Sequence, residues 1–276
     1  MARCIYCGQP AGLLRRRHPE CQERHTRALA MIPELFTKAL HSSLPAERFG
    51  ELLKQAAGAS FIKPRDLGPL CVQGISSMID SVLEDRLLTP AEDERITEIK
   101  DALAPALVNV TSLNEKLIKI SILRELSAGE LPDRVTVAGP MPIELHAHER
   151  VIWIFNHAVC FRRRVAPALE LGGIVFPATE KDLYCGMHAF NNDPLPMDDL
   201  LDEATGDLVV TNRNLYFIFG AGQRRIPMAK ITALQPHADG IQVTCEQPQG
   251  RSRIFKLDDP WLAANMIVRL IMLAQK

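Results

Sequence analysis

Residues 206–244 read GDLVVTNRNLYFIFGAGQRRIPMAKITALQPHADGIQVT, and their alternation of apolar and polar side chains sets the class of the C-terminal part of the chain. A period of two puts successive side chains on opposite faces of a strand. Short strands are therefore expected at Asp207 to Thr211, Leu215 to Phe219, Arg225 to Met228 and Ile241 to Thr244. Asn212-Arg213-Asn214 and Gly220-Ala221-Gly222 supply hairpin ends, and Asp239-Gly240 is a strong turn dipeptide. Upstream, Val151 to Phe155 and Ala158 to Phe161 continue the pattern, as does Arg253 to Leu257 downstream. Asp259-Pro260 then opens a helix whose Trp261, Ala264, Val268 and Ile271 share a face. Strands followed by one helix suggest a small β-barrel over 135–276, closed by that helix. Within it Asp193-Pro194-Leu195-Pro196 reads as an irregular insertion.

Residues 45–131 change period and read as helical. Thr89-Pro90-Ala91-Glu92 offers an N-cap threonine, a proline at the first helical position and a glutamate at the third, which is a capping box. Ser112-Leu113-Asn114-Glu115 repeats the device, and Gly129 followed by Pro132 closes the helix it opens. Leu113, Leu117, Ile120 and Leu123 recur at helical spacing, as do Val72, Ile75, Ile79, Val82 and Leu83.

Residues 1–41 open on CIYCGQPAGLLRRRHPEC, which places Cys4 and Cys7 with two residues between them, then His18 and Cys21 at the same spacing. The first pair fits a tight turn that Gly8 can release, leading into a short hairpin through Ala11 to Leu14. The second pair fits one face of the first helical turn, with Pro19 at the first helical position. Three thiolates and an imidazole with no open position describe one structural Zn2+. His25, four residues after Cys21 on the same helical face, competes with His18 for the fourth place. The helix continues through the apolar stripe Leu29, Ile32, Leu35, Phe36, Ala39 and Leu40, in which Pro33 is expected to cause a break or kink. Arg15, Arg16, Arg17, Arg24 and Arg27, with Arg3 nearby, outnumber Glu20 and Glu23 and leave residues 1–27 at +4. That patch is a candidate for nucleic-acid phosphates. His157 with Cys160, and Cys185 with His188, also have pair spacings that zinc accepts. A strand turns residues three apart to opposite faces, however, which argues against a second site at His157 and Cys160.

Two stretches carry resemblances. Gly206, Leu208, Thr211, Tyr216, Phe217, Lys230, Ile231, Asp239, Gly240 and Ile241 fall where GRAM and bacterial pleckstrin-homology-like domains have Gly-x-Leu-x-x-Thr, an aromatic strand, Lys-Ile and an Asp-Gly-Ile hairpin. The stretch resembles their core, with residues 140–205 as a divergent first part. The resemblance implies a scaffold for protein interaction. It also brings an alternative, in which Arg162, Arg163, Arg164, Arg224, Arg225 and Lys230 frame an anionic-lipid headgroup. SVLEDRLLTPAEDERITEIKDAL, residues 81–103, resembles one helical hairpin of TerB-like domains, with Asp85-Arg86 where those have Asp-Gly. No metal ligand is carried over from that family. The N-terminal module is similar to treble-clef and zinc-ribbon folds.

The fold class is thus α+β multidomain: a zinc treble-clef or ribbon with a long helix at 1–41, a helical domain at 45–131, and a pleckstrin-homology/GRAM-like β-domain at 135–276. With 276 residues, 47% apolar and 24% charged, the chain has the composition of folded domains. A net charge of −1 excludes a uniformly basic nucleic-acid binder but permits a local patch. The N-terminus lacks the apolar core of a secretory signal, and no apolar run reaches the ~18 residues of a membrane span. Three of seven cysteines belong to the metal motif and the other four sit in apolar surroundings, so the cytoplasm is the expected compartment. No G-x-S-x-G, H-E-x-x-H or Walker loop occurs. The sequence therefore reads as a non-enzymatic, zinc-containing adaptor that works on a protein partner. Nucleic-acid binding through the zinc module and membrane-lipid binding through the β-domain are the alternatives.

Overall fold

The computed structural model describes residues 2–12, 15–107, 109–135, 139, 142–163, 173–176, 183–190, 194–195, 200–220, 222–246 and 252–274, with 163 and 200–203 as backbone. The chain is α+β. Among the described residues it has six α-helices and one eight-stranded antiparallel sheet. It divides into two compact units, Met1–Leu83 with Leu88–Ile118, and Glu84–Leu87 with Lys119–Lys276. Leu13, Leu14, Arg164, Asp193, Pro196 and Ala221, which the sequence reading invoked, lie outside the described residues.

The first unit is helical: α1 Pro19–Leu40, α2 Ala46–Ala59, α3 Pro64–Leu83, α4 Pro90–Leu103 and the opening of α5 Thr111–Ala128. Pro33 does not break α1, which runs from Pro19 to Leu40 with the proline inside it. Proline removes one intrahelical donor, but Ile32, Phe36, Ala39 and Leu40 are all buried, and their burial offsets the loss. Leu29, counted in the same stripe, is instead 37% exposed. Phe36 packs edge-on to Phe49 at 5.1 Å. Its ring lies so close to α3 that a Cβ on Gly74 would sit 2.2 Å from it, so a glycine is what lets α1 and α3 approach. The end of α1 is held by Arg95 of α4, whose guanidinium donates to the carbonyl oxygens of Ala39 and Leu44.

The helix caps show which local signals were read correctly. Thr89 carries the full capping box: Glu92 N donates to Thr89 Oγ1 at 3.3 Å, and Thr89 N donates to Glu92 Oε2 at 3.0 Å. Ser112 does not cap. The α5 helix already begins at Thr111, with Asn114 N donating to Val110 O, so Ser112 lies inside the first turn. At the other end Gly129 has φ +86°, Gly129 N reaches Leu126 O and Glu130 N reaches Glu125 O. This is a Schellman closure, which needs a residue tolerant of the left-handed region.

In the second unit the strands are β1 Val151–Arg163, β2 Ile174–Val175, β3 Leu200–Thr211, β4 Asn214–Phe219, β5 Gly222–Pro227, β6 Ile231–His237, β7 Gly240–Cys245 and β8 Ser252–Lys256. Their order is β2-β6-β7-β8-β1-β3-β4-β5, an open sheet with β2 and β5 at its edges. The two strands expected at 151–161 are one, β1, interrupted by a bulge between Phe155 and Ala158 where His157 takes φ +56°. β1 pairs with β3 along its length and with β8 at Val159 to Arg162, so it belongs to both halves of the sheet. β6 has no counterpart among the strands read from the sequence. Both of its faces are largely buried, which erases the alternation that betrays a half-exposed strand.

The last helix, α6 Pro260–Ala274, packs on β6 and β7 and is buried from Pro260 to Ile271. Asp259 caps it through Leu262 N at 2.9 Å. Trp261, Ala264, Val268 and Ile271 are buried as expected. The polar members of the helix are buried too, because the segment 183–190 covers it. Asn265 exchanges hydrogen bonds with Cys185 N and Cys185 O at 2.9 and 3.0 Å, and Trp261 Nε1 donates to Tyr184 OH at 3.2 Å. No helix of the described residues is long and apolar enough to cross a membrane.

Candidate metal centre

The site is built on a hairpin and a helix end. Cys4 N donates to Gln9 O at 2.8 Å, Ala11 N to Ala2 O at 2.9 Å, and Arg3 bridges Pro10. The hairpin thus pairs 2–4 with 9–11, while the stretch expected through Ala11 to Leu14 lies partly outside the described residues. Its tip is Cys4 to Cys7, turned by Gly8 N to Cys4 O at 2.9 Å with Gly8 at φ +73°. Ile5 N then donates to Arg16 O, which brings the start of α1 alongside. His18 is the extended N-cap residue of α1 and Cys21 lies in its first turn, so both project toward the hairpin tip.

Cys4, Cys7, His18 and Cys21 present one ligand atom each, all within 4.8 Å of one another. His18 Nδ1 lies 3.3 Å from Cys7 Sγ and 3.7 Å from Cys21 Sγ. A tetrahedral ion with ordinary zinc bond lengths requires an S–N edge of about 3.6 Å, and these distances bracket it. His18 Nε2 sits 3.0 Å from Pro10 O, and as the protonated nitrogen it donates there and leaves Nδ1 to face the thiols. This is the outer contact that fixes a ligating imidazole. His18 N donates to Cys4 Sγ at 3.4 Å. Burial would raise the Cys4 thiol, but hydrogen bonds from the backbone of Cys7, His18 and Tyr6 outweigh it and bring the pKa down to about 6. Burial and the neighbouring thiols push Cys21 up to about 11. The hydrogen bond to Pro10 and the thiol of Cys7 raise His18. A sulfur-rich, four-coordinate set of this kind can hold one metal ion and leaves no protein-free position for a substrate.

His25, the competing ligand, does other work. Its Nδ1 lies 3.1 Å from Ser60 O and its ring 4.8 Å from Tyr6, which in turn lies 6.1 Å from Phe61. The hairpin is thereby tied to the α2–α3 connection. Arg3, Arg15, Arg16, Arg17, Arg24 and Arg27 are all exposed, with Arg24 over the Phe61 ring at 5.9 Å and Arg27 paired with Glu23 at 2.6 Å.

The other metal-like pairs do not converge among the described residues. His157 sits in the β1 bulge while Cys160 is buried, and His188 Nδ1 is 2.9 Å from Glu84 O. Arg224 and Arg225 meet Arg253 around a cavity of about 320 Å³ floored by Phe217 and Phe255.

Sequence reasoning missed one polar centre. Glu149, 6% exposed, accepts from Thr211 Oγ1 at 2.6 Å, Asn214 Nδ2 at 2.7 Å, His146 N at 3.0 Å and Tyr216 OH at 3.2 Å. Burial alone would raise this carboxyl, but the donors of Asn214, Thr211 and His146 hold it below the usual carboxylate range. Burial and the Glu149 charge raise Tyr216. The network locks the segment before β1 onto the β3–β4 turn, where Arg150 N also donates to Asn212 Oδ1. Compared with protein-family models, with curated proteins and with solved structures, the chain matches none.

Proposed function

We propose that this chain is a zinc-containing adaptor that acts by binding a protein partner in the cytoplasm, without chemistry of its own. The observation that carries the reading is the closed Cys4, Cys7, His18, Cys21 set, in which all four positions of a tetrahedral ion are filled by the chain. Such an ion shapes a surface and does not turn over a substrate. On this reading the ion is zinc and residues 1–41 are a treble-clef or ribbon module. Residues 45–131 supply a TerB-like helical region, and residues 135–276 a pleckstrin-homology/GRAM-like domain closed by α6. The last assignment draws support from the burial of α6 against β6 and β7 and from a long β1 shared by both halves of the sheet. Affinity capture from the native cell, with protein and nucleic acid both identified, tests the function. A protein partner retained in high salt supports it, and recovery of nucleic acid alone contradicts it.

One observation favours a second reading. Arg15, Arg16, Arg17, Arg24 and Arg27, with Arg3, are exposed on the zinc module, as is Ile5 at 57%. In that case the module meets phosphates, and binding should fall steeply with salt. The arginine-lined cavity of the sheet unit keeps anionic lipid as the third arm, read by sedimentation with anionic vesicles.

A further inference from the structure

The sheet has two edges, and they differ. Among the described residues β2 pairs with β6 at Ala233 and Leu234, and Phe176 N donates to Thr232 O just beyond it. β5 at the opposite edge pairs all six of its residues with β4, in unbroken register from Phe219↔Gly222 to Asn214↔Pro227. No strand pairs with its outer side among the described residues. Half of the backbone N–H and C=O groups of an edge strand point away from its neighbour, which over six residues makes a template about 20 Å long. Open edges are commonly blunted by a bulge, a proline or charged side chains, and the charges also decide which strands such an edge accepts. This one reads Gly222-Gln223-Arg224-Arg225-Ile226-Pro227, with two adjacent cations at its centre.

Both cations line the smaller cavity, and Arg225 also borders a second groove. Arg225 donates to His146 Nε2 at 2.7 Å beside an open groove of about 670 Å³, whose apolar wall is Ile143, Leu145 and Tyr216. Leu145 is 39% exposed there, and Glu144 is the acidic residue among the described lining. Arg224 lies over the Phe219 ring at 5.1 Å, beside the smaller cavity that Arg253 also lines. A strand laid on β5 would send alternate side chains to the two faces of the sheet. A second copy of β5 in central antiparallel register would set arginine against arginine, which destabilises a pair.

We propose that the β5 edge binds an extended acidic peptide segment of a partner protein by strand addition. Two neighbouring carboxylates of the peptide meet Arg224 and Arg225, and a flanking apolar residue enters the Leu145 groove. Backbone hydrogen bonds supply affinity and the two arginines supply selectivity. The proposal rests on the adaptor reading and gives that reading a surface and a partner chemistry.

Fluorescence polarisation on the full chain tests it, with the labelled peptide Thr-Val-Val-Glu-Glu-Val-Val-Thr as the probe. Saturable binding is expected, weakened at least about tenfold when Lys-Lys replaces Glu-Glu or when Arg225→Glu is introduced. The decisive comparison leaves the protein unchanged: the same peptide methylated at alternate backbone amides should lose binding. Equal binding of the methylated peptide means charge attraction without strand addition and overturns the proposal. So does no saturable binding of the parent peptide, or self-association of the chain that Arg225→Glu abolishes. A captured protein partner whose binding ignores Arg225→Glu would sink this proposal while leaving the adaptor reading standing.

Discussion

Each unit gathers polar groups around a point, and the two points have opposite needs. In the first, three thiols and an imidazole converge within 4.8 Å and call for a cation that the chain does not supply. In the second, two side-chain hydroxyls, an amide and a backbone N–H converge on Glu149, which supplies its own charge. The first arrangement fastens the hairpin of residues 2–11 to the start of α1, and the second fastens the segment before β1 to the β3–β4 turn. One tie therefore depends on a ligand from outside, and the other on pH. A short hairpin with little apolar area has few other means of support, whereas the sheet unit has a deep core that can offset the burial of a carboxylate.

The largest effect that separates the two is chelation. Metal binding to sites of this type supplies on the order of 10 kcal/mol. Stripping the ion should open residues 1–18 and the first turn of α1 to protease while the sheet unit stays resistant, because Glu149 needs no ion. Equal loss of protection in both units would end the contrast.

Next in size is Trp261→Ala. Truncating a buried tryptophan costs about 3–5 kcal/mol, and Trp261 also donates to Tyr184. Denaturation followed by proteolysis should show the sheet unit weakened and metal content unchanged. A resistant C-terminal region in this variant would mean that α6 does not support the sheet.

Glu149→Gln should cost about 1.5–3 kcal/mol, the worth of hydrogen bonds to a charged group. The pH dependence follows from the sign of the shift. The folded-state pKa is depressed, so its contribution is fully present above the unfolded value of about 4.3 and is lost as pH falls through the lower folded value. The wild-type sheet unit should lose stability across that acid window, and Glu149→Gln should flatten the loss. Parallel acid curves for the two proteins would remove the carboxylate from the account.

The smallest predicted effect is in the first unit. Thr89→Ala breaks the capping box of α4 and should cost roughly 1 kcal/mol. An unchanged denaturation midpoint would show that the cap is not stabilising.

What could be read from the sequence was local. Thr89 and Glu92 are three residues apart, and the two ligand pairs each fit one turn, so no tertiary knowledge was needed to see either. Features that depend on distant partners were hidden. β1 looked like two strands because a bulge at His157 breaks its alternation, and β6 lost its alternation to burial on both faces. Pro33 looked like a break because its cost is visible in sequence while the packing of Phe36 against Gly74 is not. The Glu149 centre joins residues more than 60 positions apart, and nothing in the spacing of His146, Thr211, Asn214 and Tyr216 announces it. His25 matched the ligand pattern, and only the nearby Ser60 carbonyl and the Tyr6 ring show its place.

The central claim is that Cys4, Cys7, His18 and Cys21 together hold one zinc ion, and elemental analysis of the purified chain tests it most directly. The account predicts close to one equivalent of zinc in the wild type, retained in His25→Ala and lost in the Cys4→Ser/Cys7→Ser double variant. Zinc at the wild-type level in the double variant would contradict it.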